Sequence, residues 1–212
     1  MAKMRTEVTA DNYTLQGYDE HNCIFIHVPK CAGVSVTNAL FGNYAGGHRP
    51  LYLYLALYGS RQFDQMFKFT FVRNPWDRIS SAYFFLKNGG MTERDAQWSK
   101  TWLSDCVSLD DFVQRILPDP QVRGMIHFQT QTSFLTDPRT GKIGCDFIGR
   151  YETLAEDFEY VASQLGGQAT LPKLNTTKDK RLWRDEMSQE SISVIGDLYA
   201  RDVKELNYAD TL

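Results

Sequence analysis

The first place where this sequence could do chemistry is residues 24–35, IFIHVPKCAGVS, where a buried apolar run closes at Pro29 and gives way to a short loop carrying Lys30 and Gly33. A helix opens directly after it, with Ser35 in its first turn. Backbone N–H groups at a helix start, the positive end of the helix and a mobile ammonium group all favour phosphate or sulfate oxygens, so the segment has the makings of an anion cradle. The nucleoside-triphosphate loop G-x-x-x-x-G-K-[ST] puts glycine before lysine, whereas here Lys30 precedes Gly33, which disfavours a metal–nucleotide kinase. On this motif alone an ordinary βα turn with a surface lysine stays equally open.

A second strand-to-helix junction, FTFVRNPWDRISSAY, places Arg73 at the carboxyl end of a strand, where ligands of open α/β sheets collect. Ser81 follows six residues after Pro75, about 9 Å along a helix axis, so an anionic group touching Arg73 and Ser81 would lie along the helix flank. Two separate anionic groups of one ligand would then be held by two motifs. Among the neighbours, Asp77 reads as a cap, Trp76 and Tyr83 as core, and Arg78 as a partner of Asp77 or another carboxylate.

The elements that must position these residues follow from local signals. Cys23 to Val28 and Phe67 to Val72 read as strands, the second with Phe67, Phe69 and Phe71 on one face and Lys68, Thr70 and Val72 on the other. Val34 to Phe41 reads as a helix stopped by Gly42, and Asn74-Pro75-Trp76-Asp77 as the start of a helix running to about Lys87. Ser108 opens another helix, ended by Pro118. Thr153 with Glu156 caps one that ends at Gly166-Gly167, and a last helix begins near Ser188 with Ile192, Ile195, Leu198, Tyr199, Val203 and Leu206 inward. With Asp146 to Gly149 as a third strand, the alternation predicts an α/β fold, a single domain with a central parallel sheet and a P-loop-like strand–loop–helix site. Residues 1–20 read as a peripheral segment and 21–212 as the domain.

Composition narrows the function classes. The 212 residues hold 23 Lys+Arg against 26 Asp+Glu, a net charge of −3, which argues against binding nucleic acid over the whole surface and makes any anion site local. No run approaches the length of a signal peptide's apolar core or a membrane span, so a cytoplasmic protein is expected. Cys23, Cys31, Cys106 and Cys145 show no metal-type spacing with the four histidines, so neither a metal site nor a disulfide framework is expected.

Taken together, VPKCAGVS and RNPWDRISSAY resemble the 5'-phosphosulfate and 3'-phosphate motifs of the sulfotransferases that use 3'-phosphoadenosine 5'-phosphosulfate (PAPS). The likeness is to the branch of the Golgi carbohydrate sulfotransferases and their soluble bacterial relatives. HFQTQTSFL, DFIGRYETLAEDF and LPKLNTT resemble that branch's later half, so the likeness covers about residues 22 to 210. Cys31 stands where the family usually has threonine. The resemblance implies that Lys30 neutralises the bridging and leaving phosphate oxygens, while Cys31, Ala32, Gly33, Val34 and Ser35 supply N–H or hydroxyl donors. Arg73 and Ser81 would hold the 3'-phosphate. A basic stretch of five Lys and Arg against one Asp over residues 173–184 agrees with an anionic ligand, with Lys178 its best functional candidate. The chemistry implied is in-line attack on sulfur by the hydroxyl of a carbohydrate or glycosylated acceptor, with no metal and no covalent intermediate.

A general base is then needed, and histidine can take a proton at neutral pH. His21 and His27 read as structural. His48 lies in Gly46-Gly47-His48-Arg49-Pro50, after the first helix, in a stretch whose two glycines give it freedom to reach a cleft. In carbohydrate sulfotransferases a Gly-His in this interval serves as the base. His127, in IHFQTQ, is the competitor and otherwise an acceptor contact. The acceptor pocket is expected in variable loops at Tyr44 to Tyr58 and Lys87 to Trp102, where Tyr52, Tyr54, Trp98 and Trp102 either stack on a sugar or pack in the core. A P-loop-type nucleotide kinase and a non-catalytic anion- or glycan-binding module are the rival readings.

Overall fold

The structure is a computed structural model in which residues 12–167, 169–171 and 183–209 are described. They fall into two compact units. The described residues of Met1–Arg73 and Gln131–Thr176 make the first, and those of Asn74–Thr130 and Thr177–Leu212 the second.

The first unit is built on a three-stranded, all-parallel sheet, β1 (Cys23–Ile26), β2 (Phe67–Val72) and β3 (Phe147–Arg150), with β2 in the middle. The α/β class with a central parallel sheet is therefore as expected. All four residues of β1 are buried, as a strand covered on both faces requires. Phe25 stacks on Phe69 at 5.1 Å on one face, while on the other Thr70 Oγ1 donates to the Ile26 carbonyl at 2.8 Å. β1 ends at Ile26 rather than Val28, because the His27 carbonyl meets the His48 ring instead of a neighbouring strand. β3 starts one residue later than expected: the Asp146 carboxylate accepts from the Lys68 N–H at 2.7 Å and pairs with its ammonium at 3.0 Å.

Helix α1 (Gln16–Glu20) carries Tyr18, fully buried, whose hydroxyl donates to the Phe25 carbonyl at 2.8 Å. Helix α2 (Gly33–Phe41) ends, as its sequence demands, with Gly42 at φ +67° and its N–H on the Asn38 carbonyl. Helix α3 (Leu51–Gln65) occupies the second half of the segment read as an acceptor loop. Leu51, Tyr54 and Tyr58 recur at helical spacing on its buried side, and a kink at Gly59 (φ +72°) blurs that pattern in the sequence.

The second unit is helical. Helix α4 (Pro75–Lys87) matches the expected bounds, with the Asn74 side chain accepting from the N–H groups of Trp76 (3.1 Å) and Asp77 (3.3 Å). Helix α5 (Glu93–Trp102) replaces the second expected loop. Its start is a reciprocal cap in which the Thr92 hydroxyl accepts from Asp95 N–H and the Asp95 carboxylate accepts from Thr92 N–H. Helix α6 (Leu109–Asp111) continues into a π-helical turn (Phe112–Ile116) before Pro118, and α7 (Pro120–Gly124) follows.

In the first unit again, α8 (Gln131–Leu135) precedes β3, and α9 (Leu154–Gln164) follows it. Thr153 does not cap α9 as expected. Its hydroxyl donates to the Asp157 carboxylate at 2.7 Å, which also accepts from Arg150 N–H. The second unit closes with α10 (Trp183–Glu186), α11 (Gln189–Leu198) and α12 (Ala200–Glu205), so the expected last helix is two helices divided at Tyr199. Its core joins Trp76, stacked on Trp183 at 5.9 Å, to Tyr83, Phe112, Phe128, Ile195 and Tyr199. Among the described residues, Arg78 meets backbone carbonyls rather than Asp77 or another carboxylate as expected. It is fully buried and donates to the carbonyls of His127 (3.1 Å) and Gln129 (2.6 Å).

Candidate active site

Between β1 and α2 the loop adopts an unusual backbone. Lys30 (φ +68°) and Ala32 (φ +62°) both take the left-handed conformation, and neither is glycine. Each such residue costs on the order of 1–2 kcal/mol, so the surrounding contacts must hold the loop in place. Alternating conformations of this kind turn successive N–H groups toward one side, the geometry that binds anions, and here they lead directly into the first turn of α2. Cys31 is buried, Val34 is exposed and Ser35 is partly exposed.

Gly33 has a specific packing reason. A Cβ there would lie 1.9 Å from the Cδ2 and Nε2 atoms of His27. The imidazole of His27 therefore fills the space beneath the helix start, stacked on Phe25 at 5.5 Å. Burial first, and the neighbouring His48 second, hold its pKa well below the usual histidine value, so the ring is neutral at neutral pH.

His48 sits against His27, with ring centroids 4.0 Å apart, and its Nδ1 is 3.1 Å from the His27 carbonyl oxygen. That oxygen can only accept, so the contact is a hydrogen bond when the His48 ring carries a proton on Nδ1. The glycines before it do not confer the freedom expected of them. A Cβ on Gly46 would meet the Tyr54 hydroxyl at 2.0 Å and one on Gly47 the Tyr13 ring at 2.8 Å, while Arg49 donates to the Gly46 carbonyl. Missing side chains here let two tyrosines pack close, and the turn is held rather than loose.

Arg73 ends β2 and is 9% exposed. Its guanidinium lies over the Tyr151 ring at 4.0 Å and donates to the Lys30 carbonyl at 3.2 Å. Gln131, fully buried at the start of α8, accepts from Arg73 N–H at 2.9 Å and donates to the Arg73 carbonyl at 2.8 Å. The Cys31 thiol donates toward the same Gln131 oxygen at 3.4 Å and lies 3.6 Å from the Pro29 carbonyl. Its hydrogen is thus directed into the protein. Gln131 and Tyr151 were not singled out from the sequence. Tyr151 directly follows β3, at the end of the sheet where ligands gather, and that position was a usable signal; an amide in a mixed polar run carries none.

In the second unit, Ser81 is partly exposed on α4. His127 is buried in a turn, with Nε2 3.5 Å from the Asp95 carboxylate and its ring edge-on to Phe85 at 5.0 Å. Tyr54 is buried and Tyr52 half exposed, while Trp98 stacks on Trp102 at 6.3 Å. Lys178 lies outside the described residues, as does most of the basic stretch around it. No helix among the described residues is long and apolar enough to cross a membrane.

Comparison with known families aligns residues 18–209 with the sulfotransferase family. The chain belongs to that family. Its reaction class is therefore sulfuryl transfer, and the acceptor chemistry of the class is a hydroxyl group. A curated relative, an uncharacterized protein of Archaeoglobus fulgidus, is 29% identical over 127 residues, covering 57% of this chain and 86% of that protein. No solved structure gives a significant match. In this sulfotransferase, the loop at Lys30, the Arg73 junction of β2 and the paired rings of His27 and His48 all belong to the first unit, around the carboxyl ends of β1 and β2.

Proposed function

We propose that this sulfotransferase moves the sulfuryl group of PAPS to a hydroxyl of a carbohydrate or glycosylated acceptor by in-line displacement. The observation that carries the reading is the packing of His48 against His27, which itself fills the space under Gly33 at the mouth of the Lys30 loop. A base candidate from a distant turn and an anion cradle thereby share one wall.

Lys30 neutralises charge on the bridging and leaving phosphate oxygens as the S–O bond breaks, and the N–H groups of Cys31, Ala32, Gly33, Val34 and Ser35 bind the phosphosulfate oxygens. Ser35 adds a hydroxyl donor. Arg73 and Ser81 bind the 3'-phosphate of the donor, and Lys178 is the further candidate for its negative charge. His48 takes the acceptor's proton on Nε2 as the new O–S bond forms, and the bisphosphate leaves with the electron pair of the broken bond. His127 acts on the acceptor side. What supports the fit to this ligand is a loop with two left-handed residues whose N–H groups, an ammonium and a guanidinium oppose its charge.

Two measurements test the reading. Isothermal titration is expected to show adenosine 3',5'-bisphosphate binding more tightly than ATP with Mg²⁺; the reverse order points to a nucleotide kinase. Mass spectrometry of candidate glycans and small hydroxylated metabolites incubated with PAPS and enzyme is expected to show the sulfate mass increment. Bisphosphate binding with no product on any acceptor at any pH points to a non-catalytic module.

A further inference from the structure

Gln131 takes part in a closed ring of contacts around the anion loop. Its amide pairs with both backbone groups of Arg73, N–H to Oε1 at 2.9 Å and Nε2 to C=O at 2.8 Å, as a neighbouring strand would. The ladder has run out there, since β1 stops at Ile26 and the last pair of β2 with β3 is Val72 with Arg150. The Arg73 guanidinium reaches the Lys30 carbonyl at 3.2 Å. The next residue, Cys31, returns to Gln131 through its thiol at 3.4 Å. The circuit therefore runs from Gln131 to Arg73, to Lys30, along the chain to Cys31 and back to Gln131.

We propose that Gln131 is a positioning residue for the anion site, setting the Lys30 loop against Arg73 by clamping the Arg73 backbone and the Cys31 thiol with one buried amide. Its oxygen has two lone pairs and uses them on the Arg73 N–H and the Cys31 S–H, and no apolar side chain of the same size can do either. The circuit also gives the thiol at position 31 a role of its own. It donates inward to Gln131, so the cysteine serves the loop's shape and leaves donor contact to the backbone. The left-handed Lys30 depends on the same ring, because its carbonyl is held by the arginine that Gln131 anchors. The inference rests on the proposed PAPS site for its effect on binding, while the contact itself does not depend on that site.

The test uses the full chain with Gln131→Met, Cys31→Ala and the double variant, each first verified as folded by circular dichroism. The probe is adenosine 3',5'-bisphosphate, followed by isothermal titration. Gln131→Met is expected to weaken its binding about 10-fold and Cys31→Ala about 3-fold, with the double variant no weaker than Gln131→Met alone, because both changes open the same ring. Cys31→Ser is expected to recover the Cys31→Ala loss, since a hydroxyl can donate to the same oxygen. Independently of any ligand, the infrared S–H stretch of Cys31, assigned by difference from Cys31→Ala, should move to higher frequency in Gln131→Met, because the nearer acceptor at 3.4 Å is removed and only the Pro29 carbonyl at 3.6 Å is left. If Gln131→Met does not fold, the Cys31→Ala and Cys31→Ser pair carries the test. Folded Gln131→Met binding as tightly as wild type, losses that multiply in the double variant, or Cys31→Ser as weak as Cys31→Ala would each overturn the proposal. Wild-type protein that does not bind the bisphosphate refutes the PAPS reading instead, and the S–H band still decides whether the clamp exists.

Discussion

Replacing Gly33 by alanine tests whether the histidine wall and the anion loop are mechanically joined. The added Cβ would lie 1.9 Å from Cδ2 and Nε2 of His27 and 2.6 Å from its Cγ. Carbon contacts are comfortable at about 3.5–4.0 Å, so the ring or the helix start must give way by about 1.6 Å. The ring has little room, with Phe25 at 5.5 Å and His48 at 4.0 Å between centroids. Overpacking of this kind costs about 1–3 kcal/mol, and the depth of the overlap puts this site at the upper end. The helical preference of alanine over glycine returns at most about 1 kcal/mol. A net loss of about 2–3 kcal/mol is expected, which lowers Tm by about 5–10 °C in a chain of this length. Chemical denaturation gives the free energy, and sulfate transfer from PAPS the rate, which should fall at least about 10-fold as His48 is pushed off its place. In the variant that also carries His27→Ala, the ring that Cβ strikes is gone, so its stability loss should be smaller than the sum of the two single losses. Gly33→Ala as stable as wild type, or losses that add, would refute the coupling.

Three further outcomes follow from the site. Lys30→Ala should lower turnover on the order of 10²- to 10³-fold with a smaller effect on bisphosphate affinity, and Arg73→Ala should do the opposite; equal ratios of rate loss to affinity loss in the two variants would be wrong for these roles. His48→Ala should cost about 10²- to 10⁴-fold in turnover, leave bisphosphate binding nearly unchanged and remove the acid limb of the rate profile, and intact turnover would move the base elsewhere. His27 bears on stability: its folded pKa is lowered by burial and then by His48, so below the unfolded value of about 6.5 only the unfolded chain takes up the proton. Its contribution is complete above about pH 6.5 and is lost by up to about 1.4 kcal/mol per pH unit as the pH falls, and His27→Gln should remove that component from denaturation curves measured across about pH 5–7.

Local chemistry made much of this protein legible in the sequence. The period-two phenylalanines of β2, the Asn74-Pro75 start of α4 and the Gly42 end of α2 are decided within a few residues by backbone geometry and capping, and they appear in the structure at the residues expected. The order of Lys30 and Gly33 likewise argued for an anion loop of a type other than the nucleotide-triphosphate one. Helices α3 and α5 stand where loops are expected, again for local reasons. The glycine kink at Gly59 blurs the apolar pattern of α3, and α5 announces itself only through its Thr92–Asp95 cap, since few of its residues are apolar.

Other features depend on groups that meet only after the chain has folded. Nothing near Gly33 in the sequence says that a histidine six residues earlier will occupy the place of its side chain. Nor does Gly46-Gly47 indicate that Tyr54 and Tyr13 will need the room. Gln131 looked like one polar residue in a mixed run until folding brought it 58 positions back to Arg73 and 100 back to Cys31. Residue type and short spacing determined which side chains could bind an anion or take a proton. Tertiary structure decided which of them are held rigidly and by what, because burial, tautomer and close packing are properties of the surroundings a residue acquires, and those surroundings come from distant parts of the chain.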